Sequence, residues 1–430
     1  MFLLFLLSIS SIAASSQDIF SSFAVDNHMV YSPTPNQDNL DFGLISHIGI
    51  CSDGIVMQAS GQGSTTLIKI NPQGTEVARA ILTTRQANSI YWDSSNFVVP
   101  VLDGIQQYNN SDLSLNDSFG TNGTASFPSI RISSNDYTLD FSVVTKSANY
   151  YYAVGWYRTD VQRLDTVKLL VVRFELDGTP DTSFNSGSPY VLIATDNVTV
   201  FIPNEIIVLK NNIIIKTSDA FGPNDIVYGK QIISIPSNPL NGSSPTILEY
   251  GSTQVPVMTA ASDNDSLFVF HNNTLFKYMA DLSLDTSFNG SGSVTFTEPS
   301  MIFSVSFTPF TMTRVGTRIF VGGGYVSDST QLPCILCYDI SHLNTIVLDT
   351  SFFGTGYFIP NVSYYSNSQY GVGKIAFTST TVPSLFFAST HYVTHVILPG
   401  DFTRKILVRK TLLERLAFEE AQGNRIPFLV

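Results

Sequence analysis

A small polar turn with a Phe at its centre recurs four times in this 430-residue chain. It reads "NDSFGTNG" at 116–123, "DGTPDTSFNSG" at 177–187, "LDTSFNGSG" at 284–292 and "LDTSFFGTG" at 348–356. The marked aromatics are Phe119, Phe184, Phe288 and Phe352, so the steps between them are 65, 104 and 64 residues. Self-similarity at such a period constrains a chain to a stack or ring of like units, because one unit cannot bury its apolar face alone. The long middle step has room for a further unit that lacks the Phe.

Each turn follows a short strand of alternating apolar residues: "IQQY" (105), "VVRF" (171), "LFKY" (275) and "ILCY" (335). The same form occurs without the Phe turn as "LIKI" (67), "IISI" (232) and "THVI" (394), which makes seven units. A more apolar strand precedes each, for example "GIVMQASG" (54), "YYYAVGWY" (150) and "LFVFHNN" (267). Further upstream lies a third run, such as "DFGLISHIGI", "TLDFSVVT", "EIIVL", "IFSVSFT" or "KIAFTS". After the turn comes a fourth: "TASF", "PYVLI", "SVTF" or "YFIP". Four short strands per unit, bounded by Gly, Asn and Asp, predict an all-β, seven-bladed β-propeller of four-stranded antiparallel blades over residues 17–400. The last unit lacks an outer strand and "HMVYSP" (28–33) lacks a partner, so residue 30 is expected beside residue 395, closing the ring.

The segments "RFELDGTPDTSFNSG" and "KYMADLSLDTSFNGSG" resemble the delta-sixty (delta-60) repeat, whose units end in a Leu-Asp-x-Ser-Phe-x-x-x-Gly turn. Four units match well and three match in strand pattern, together covering roughly residues 40–400. The resemblance implies a propeller-like fold and almost nothing about activity. This chain departs from the pattern where the hairpin Asp-Gly survives only at Asp177-Gly178, and where the unit at 213–244 has no Phe.

The turn reads as a joint. An Asp at its start can accept backbone N–H groups, and its Gly residues supply positive φ. The Phe can drop between adjacent blades, where burial is worth roughly 1.5–3 kcal/mol. Phe119, Phe184, Phe288 and Phe352 are therefore expected to be structural latches. The rival is calcium, but that ion takes six to eight oxygens and each turn offers one carboxylate.

The formal net charge of −12 argues against nucleic acid, whose phosphates need a basic footprint. Charged residues are 13% of the chain, about half the usual share, so Ser, Thr, Asn and Gly must provide solubility. Residues 1–16, "MFLLFLLSISSIAASS", read as a secretory signal peptide, too short to span a bilayer. A buried first strand is the alternative. No later segment reads as a transmembrane span. Nine Asn-x-Ser/Thr sequons stand at Asn109, Asn116, Asn122, Asn197, Asn241, Asn264, Asn272, Asn289 and Asn361, mostly in turns. The three cysteines are Cys51, Cys334 and Cys337. The last two lie at an odd offset on a strand, which sends them to opposite faces as buried thiols rather than to one metal.

Among the six histidines, His391 and His395 would chelate on a helix but stand about 13 Å apart on a strand. No Gly-rich phosphate loop or nucleophile elbow is present, so no cofactor, metal or catalytic residue is assigned. "NVSYYSNSQYG" (361–371) offers Tyr364, Tyr365 and Tyr370 among amides as a candidate ligand-binding loop. The competing reading packs those rings on a blade edge. Residues 401–430 hold six basic residues and Leu at helical spacing, which predicts a short C-terminal docking helix. These features together point to a secreted or surface-exposed binding or assembly glycoprotein whose partner is an extracellular protein or glycan, with self-assembly as a further option. The alternative is a secreted carbohydrate-active hydrolase or lyase with its site at the channel mouth.

Overall fold

The computed structural model describes residues 28–31, 45–51, 53–60, 65–71, 75–82, 90–92, 96–127, 138–158, 167–193, 200–221, 227–228, 230–239, 244–250, 256–260, 265–295, 307–327, 330–341, 346–359, 374–377, 384–389 and 392–397. Strand β1 (His28–Tyr31) stands apart in sequence from the sheet it joins. Sheet I is formed by β2 (Ile45–Cys51), β3 (Gly54–Ser60), β4 (Thr65–Ile70) and β5 (Glu76–Leu82). Sheet II has β6 (Tyr91–Trp92), β7 (Asn96–Val101), β8 (Gly104–Asn109) and β9 (Thr124–Ser126). Sheet III has β10 (Thr138–Lys146), β11 (Tyr150–Arg158), β12 (Val167–Glu175) and β13 (Tyr190–Ile193).

Sheet IV has β14 (Val200–Val208), β15 (Asn212–Phe221), the short β16 (Val227–Tyr228) on β15, β17 (Lys230–Pro236) and β18 (Thr246–Tyr250). Sheet V has β19 (Val257–Ala260), β20 (Ser266–His271), β21 (Thr274–Met279) and β22 (Ser293–Thr295). Sheet VI has β23 (Phe307–Val315), β24 (Arg318–Ser327) and β25 (Thr330–Asp339), with β26 (Val347–Leu348) and β27 (Tyr357–Phe358) both paired to β25. The remaining strands, β28 (Lys374–Phe377), β29 (Ser384–Ser389) and β30 (Tyr392–Ile397), form sheet VII. Every pairing is antiparallel, and apart from that of β1 with β30 each joins strands of one continuous stretch of chain, as expected of up-and-down blades.

The sheets stack face to face. Val56 and Leu67 of sheet I share a core with Phe97 and Tyr108 of sheet II. Like clusters join II to III, III to IV, IV to V, V to VI and VI to VII. First strands meet their counterparts in the next sheets: β10 lies against β14, β19 against β23, β23 against β28, and β28 against β2. This is a β-propeller of antiparallel sheets, and among the described residues it has no helix.

Because a blade is covered on both sides, its middle strands bury successive residues rather than alternate ones. Tyr151 and Tyr152 are each 2% exposed, and they enter the II/III and III/IV cores respectively. Cys334 and Cys337 divide likewise, one facing sheet V and the other sheet VII. The period-2 geometry of a strand explains both pairs.

Strand β1 pairs with β30, the last strand of sheet VII, with Val30 opposite Thr394 and Met29 opposite His395. The expected closure by residues 28–33 is therefore present within one residue of register.

Of the upstream run "IFSVSFT" (302–308), only Phe307 and Thr308 are among the described residues; they open β23, which continues through Pro309 to Val315. A register shift between Pro309 and Thr311 accommodates a residue that would otherwise mark a strand end. Comparable shifts follow Ile45, Phe141 and Pro203 on the first strands of sheets I, III and IV. The signal segment 1–16 and the tail helix 401–430 lie outside the described residues.

Candidate functional site

The four Phe turns connect third and fourth strands, and each is built round one strand residue. In sheet III that residue is Arg173 on β12. Its carbonyl accepts the Asp181 N–H (3.0 Å) and its own N–H donates to the Pro189 carbonyl (3.0 Å). Lys277 does the same with Asp285 and Gly292, Gln107 with Asn116 and Gly123, and Cys337 with Asp349 and Gly356. The turn is thus pinned at both ends to a single strand residue.

The side chains complete the pin. Asp181 Oδ1 accepts the Ser183 N–H (2.8 Å) and hydroxyl (2.7 Å), and Oδ2 accepts the Arg173 guanidinium. Asp285 takes Ser287 through Oδ1 and Lys277 through Oδ2, the latter at 2.8 Å. Asp349 takes Ser351 the same way, but position 337 is Cys, so the cation is Arg318 from the adjoining β24. In sheet II the turn begins with Asn116, and its strand partner is correspondingly neutral: Asn116 Nδ2 donates to Gln107 Oε1. Charge or its absence is matched on both sides of every turn, as burial demands.

These contacts set the carboxyl acidities. Burial pushes Asp181 up, but Ser183 and Arg173 outweigh it and hold it below the ordinary 3.8. Lys277, then Ser287, lowers Asp285. Asp349 is raised by burial and lowered further by Ser351 and Arg318.

All four aromatics are buried, at 2% exposure or less, in cores shared with a neighbouring sheet. Phe119 meets Tyr151 of sheet III edge-on at 5.8 Å. Phe184 belongs to the III/IV core, Phe288 to the V/VI core and Phe352 to the VI/VII core. Polar clasps run the same way around the ring. Lys69, 1% exposed, reaches Asp53 (2.7 Å) and the Ser111 carbonyl of sheet II (2.9 Å). Arg173 donates to the Ser237 carbonyl of sheet IV (3.1 Å), and Ser234 to the Ala280 carbonyl of sheet V (2.6 Å).

Sequence reading missed the first half of the device. An earlier Asp-x-Ser/Thr turn precedes each motif: Asp112 with Ser114, Asp177 with Thr179, Asp281 with Ser283, and Asp339 with Ser341. Leu113 and Leu282, the middle residues of this first turn, adopt φ of 61° and 67°, a left-handed conformation uncommon for Leu. Each is 3% exposed and packs backwards, into the I/II and IV/V cores. Sheet III has Gly178 at this place (φ 89°), where an added Cβ would come within 3.0 Å of Gly120 N and Ala125. Gly120 of sheet II donates there to the Asp177 carbonyl at 2.7 Å, which explains why Asp-Gly is kept in this unit alone. The repeated "D-x-S/T" spacing was the available signal.

The candidate tyrosines Tyr364, Tyr365 and Tyr370 lie outside the described residues, as do Asn197, Asn241, Asn264 and Asn361. Asn109, Asn116, Asn122, Asn272 and Asn289 are described and stand at turns or strand ends. Among the described residues no three His, Cys, Asp or Glu side chains gather as a metal would require, and no helix is long and apolar enough to cross a membrane.

No family model matches the chain, and no curated protein matches it. Solved structures similar to it include an extracellular domain from B. thetaiotaomicron, from a protein described as a one-component system. That match has 11% identity and a TM-score of 0.44, covers 87% of this chain, and spans 40% of that one. The WD40 domain of SCAP from fission yeast is similar at 12% identity and TM-score 0.36, over 87% of this chain and 98% of that one. An acylaminoacyl peptidase from Pyrococcus horikoshii is similar at 8% identity and TM-score 0.41, over 82% and 52%.

Proposed function

We propose that the chain is a secreted, non-catalytic binding or assembly scaffold: a closed ring of seven blades of the delta-sixty type, carrying glycans and presenting its loops to an extracellular protein or glycan. The observation that carries this reading is the pairing of β1 with β30, which makes one ring from both ends of the array and leaves its loops as two fixed platforms. A second support is that the most repeated polar motif is engaged internally, its Asp carboxylates each held by a cation and a Ser. The tyrosines 364, 365 and 370 are the proposed contact loop, the four turn Phe the latches, residues 1–16 the leader, and 401–430 a docking helix.

The test is expression of the full chain in a eukaryotic secretory host. The reading expects product in the medium with an N-terminus near residue 17, and binding to cell-surface or glycan-array ligands that weakens when Tyr364, Tyr365 and Tyr370 are changed to Ala. Retention in the cytosol would overturn the compartment. Turnover of a polysaccharide by purified protein would overturn the non-catalytic role.

A further inference from the structure

The sequons are not equivalent, and the repeat explains why. In three turns the motif is Asp-x-Ser-Phe, beginning at Asp181, Asp285 and Asp349. The Ser two residues on is fixed by the joint, since its N–H and hydroxyl both donate to the Asp. Replacing that Asp by Asn, as at 116, automatically writes Asn-x-Ser. Asn116 behaves as the carboxylates do: Oδ1 accepts the Ser118 N–H (3.2 Å) and hydroxyl (2.7 Å). Its Nδ2 donates to the buried Gln107, which in turn donates to Tyr151 of the next sheet at 3.1 Å.

Asn289 is a second case. Its Nδ2 donates to the Ser293 carbonyl at 3.0 Å, bridging the end of the turn. Asn185 occupies the same place in sheet III and donates to the Tyr190 carbonyl at 3.1 Å, yet it is followed by Ser-Gly and forms no sequon. The amide is there for the turn, and the sequon at 289 is a by-product.

Asn122 and Asn272 differ. Both are exposed at tips with left-handed backbone (φ 51° and 48°), one before β9 and one in the two-residue link between β20 and β21. Asn122 stands at a variable position of its turn and Asn272 lies outside the Phe turns, and their sequons are completed by Thr124 and Thr274.

We infer that Asn122 and Asn272 are N-glycosylation sites of the folded protein, and that Asn116 and Asn289 are sequons by sequence only. This deepens the proposed secreted role and rests on it. In the reaction the side-chain Nδ2 bonds to the anomeric carbon of a lipid-pyrophosphate-linked oligosaccharide. The carbon–oxygen bond to the pyrophosphate breaks, one amide proton is lost, and the lipid pyrophosphate leaves. A sugar on Asn116 would force its amide out of the turn and strip Gln107 of its partner, so chains modified there would fail to close sheet II onto sheet III.

The experiment is site-resolved glycopeptide mass spectrometry of full-length chain from the medium of cultured animal cells, made once with its own leader and once behind a proven secretion leader. Sugar at Asn122 and Asn272, with Asn116 and Asn289 bare, is expected. If only the proven leader yields that pattern, the site assignment holds and the secretion reading fails. Sugar at Asn116 or Asn289 in the secreted monomer, or none at Asn122 and Asn272, overturns the assignment. Asn272→Gln should raise electrophoretic mobility by one glycan. Asn116→Gln should reduce secreted yield without a mobility change, and a mobility change there would count against the inference.

Discussion

Val30 lies opposite Thr394, and that single register ties the first described strand of the chain to the last. The pairing joins residues more than 360 positions apart, so it is a contact of high sequence separation that forms late, once the intervening chain has brought the two ends together. Without β1, the outer edge of β30 would present unpaired N–H and C=O groups.

Deletion of residues 17–35 should therefore lower the melting temperature of the monomer and expose a sticky edge. Size-exclusion chromatography with light scattering would detect the resulting association. An unchanged melting curve and a clean monomer would mean that β1 contributes nothing to closure.

Acid should loosen the turns. The carboxyls of Asp181, Asp285 and Asp349 are held below their ordinary 3.8 in the folded state. A folded-state value below the unfolded one gives stability that is fully present above 3.8 and lost as pH falls through the folded value. Urea midpoints taken from about pH 7 to about pH 2.5 should stay level and then fall below the ordinary carboxylate range. Asp181→Asn and Asp349→Asn should each flatten that fall, and an unaltered acid limb would refute the pinning role.

How much of this was legible beforehand depended on distance along the chain. Arg173 and Asp181 are eight residues apart, and Lys277 and Asp285 repeat that spacing, so the pin was there to be read. Arg318 and Asp349 are separated by 31, because the strand position is Cys337 and the cation comes from the neighbouring strand; no local pattern announces it. The roles of Leu113 and Leu282 were not legible, since nothing in Asp-Leu-Ser says that the Leu turns left-handed to reach the preceding sheet. The buried Pro309 hid how far β23 runs beyond Thr308, because a bulge, invisible in periodicity, makes room for it.

The neutral turn of sheet II offers a charge-exchange test. Asn116→Asp places a carboxylate against the buried Gln107 and should destabilise by about 1–3 kcal/mol. Gln107→Lys alone buries an unpaired ammonium and should cost about 3–5 kcal/mol. The double variant recreates the Lys277–Asp285 arrangement and should recover most of the loss. Strict additivity in chemical denaturation would show that the two positions are not coupled.

The thiols should be silent in the native state. Burial pushes Cys334 up to about 12 and Cys51 to about 11, and it raises Cys337 well above its ordinary value. Thiolate is the reactive form, so an aromatic disulfide reagent at neutral pH should label none until denaturant is added. Rapid labelling of one thiol without denaturant would reveal local opening of its sheet.

The turns latch in two directions, and the backward latch makes an unusual prediction. Leu282 reaches the IV/V core while Phe288, six residues on, reaches the V/VI core. Leu282→Ala and Phe288→Ala each remove a buried side chain and should destabilise by about 2–5 and 3–5 kcal/mol respectively. At position 282, however, the backbone has φ of 67°, which a Cβ disfavours by roughly 1–2 kcal/mol. Leu282→Gly loses the same packing as Leu282→Ala but sheds that strain. The glycine variant should consequently be the more stable of the two, the reverse of their order in an ordinary strand. Gly178 already shows the substitution tolerated in sheet III, where a neighbouring sheet fills the space. Melting temperatures of the two variants decide the matter: if Leu282→Ala melts higher than Leu282→Gly, the left-handed latch is not how the Leu is held.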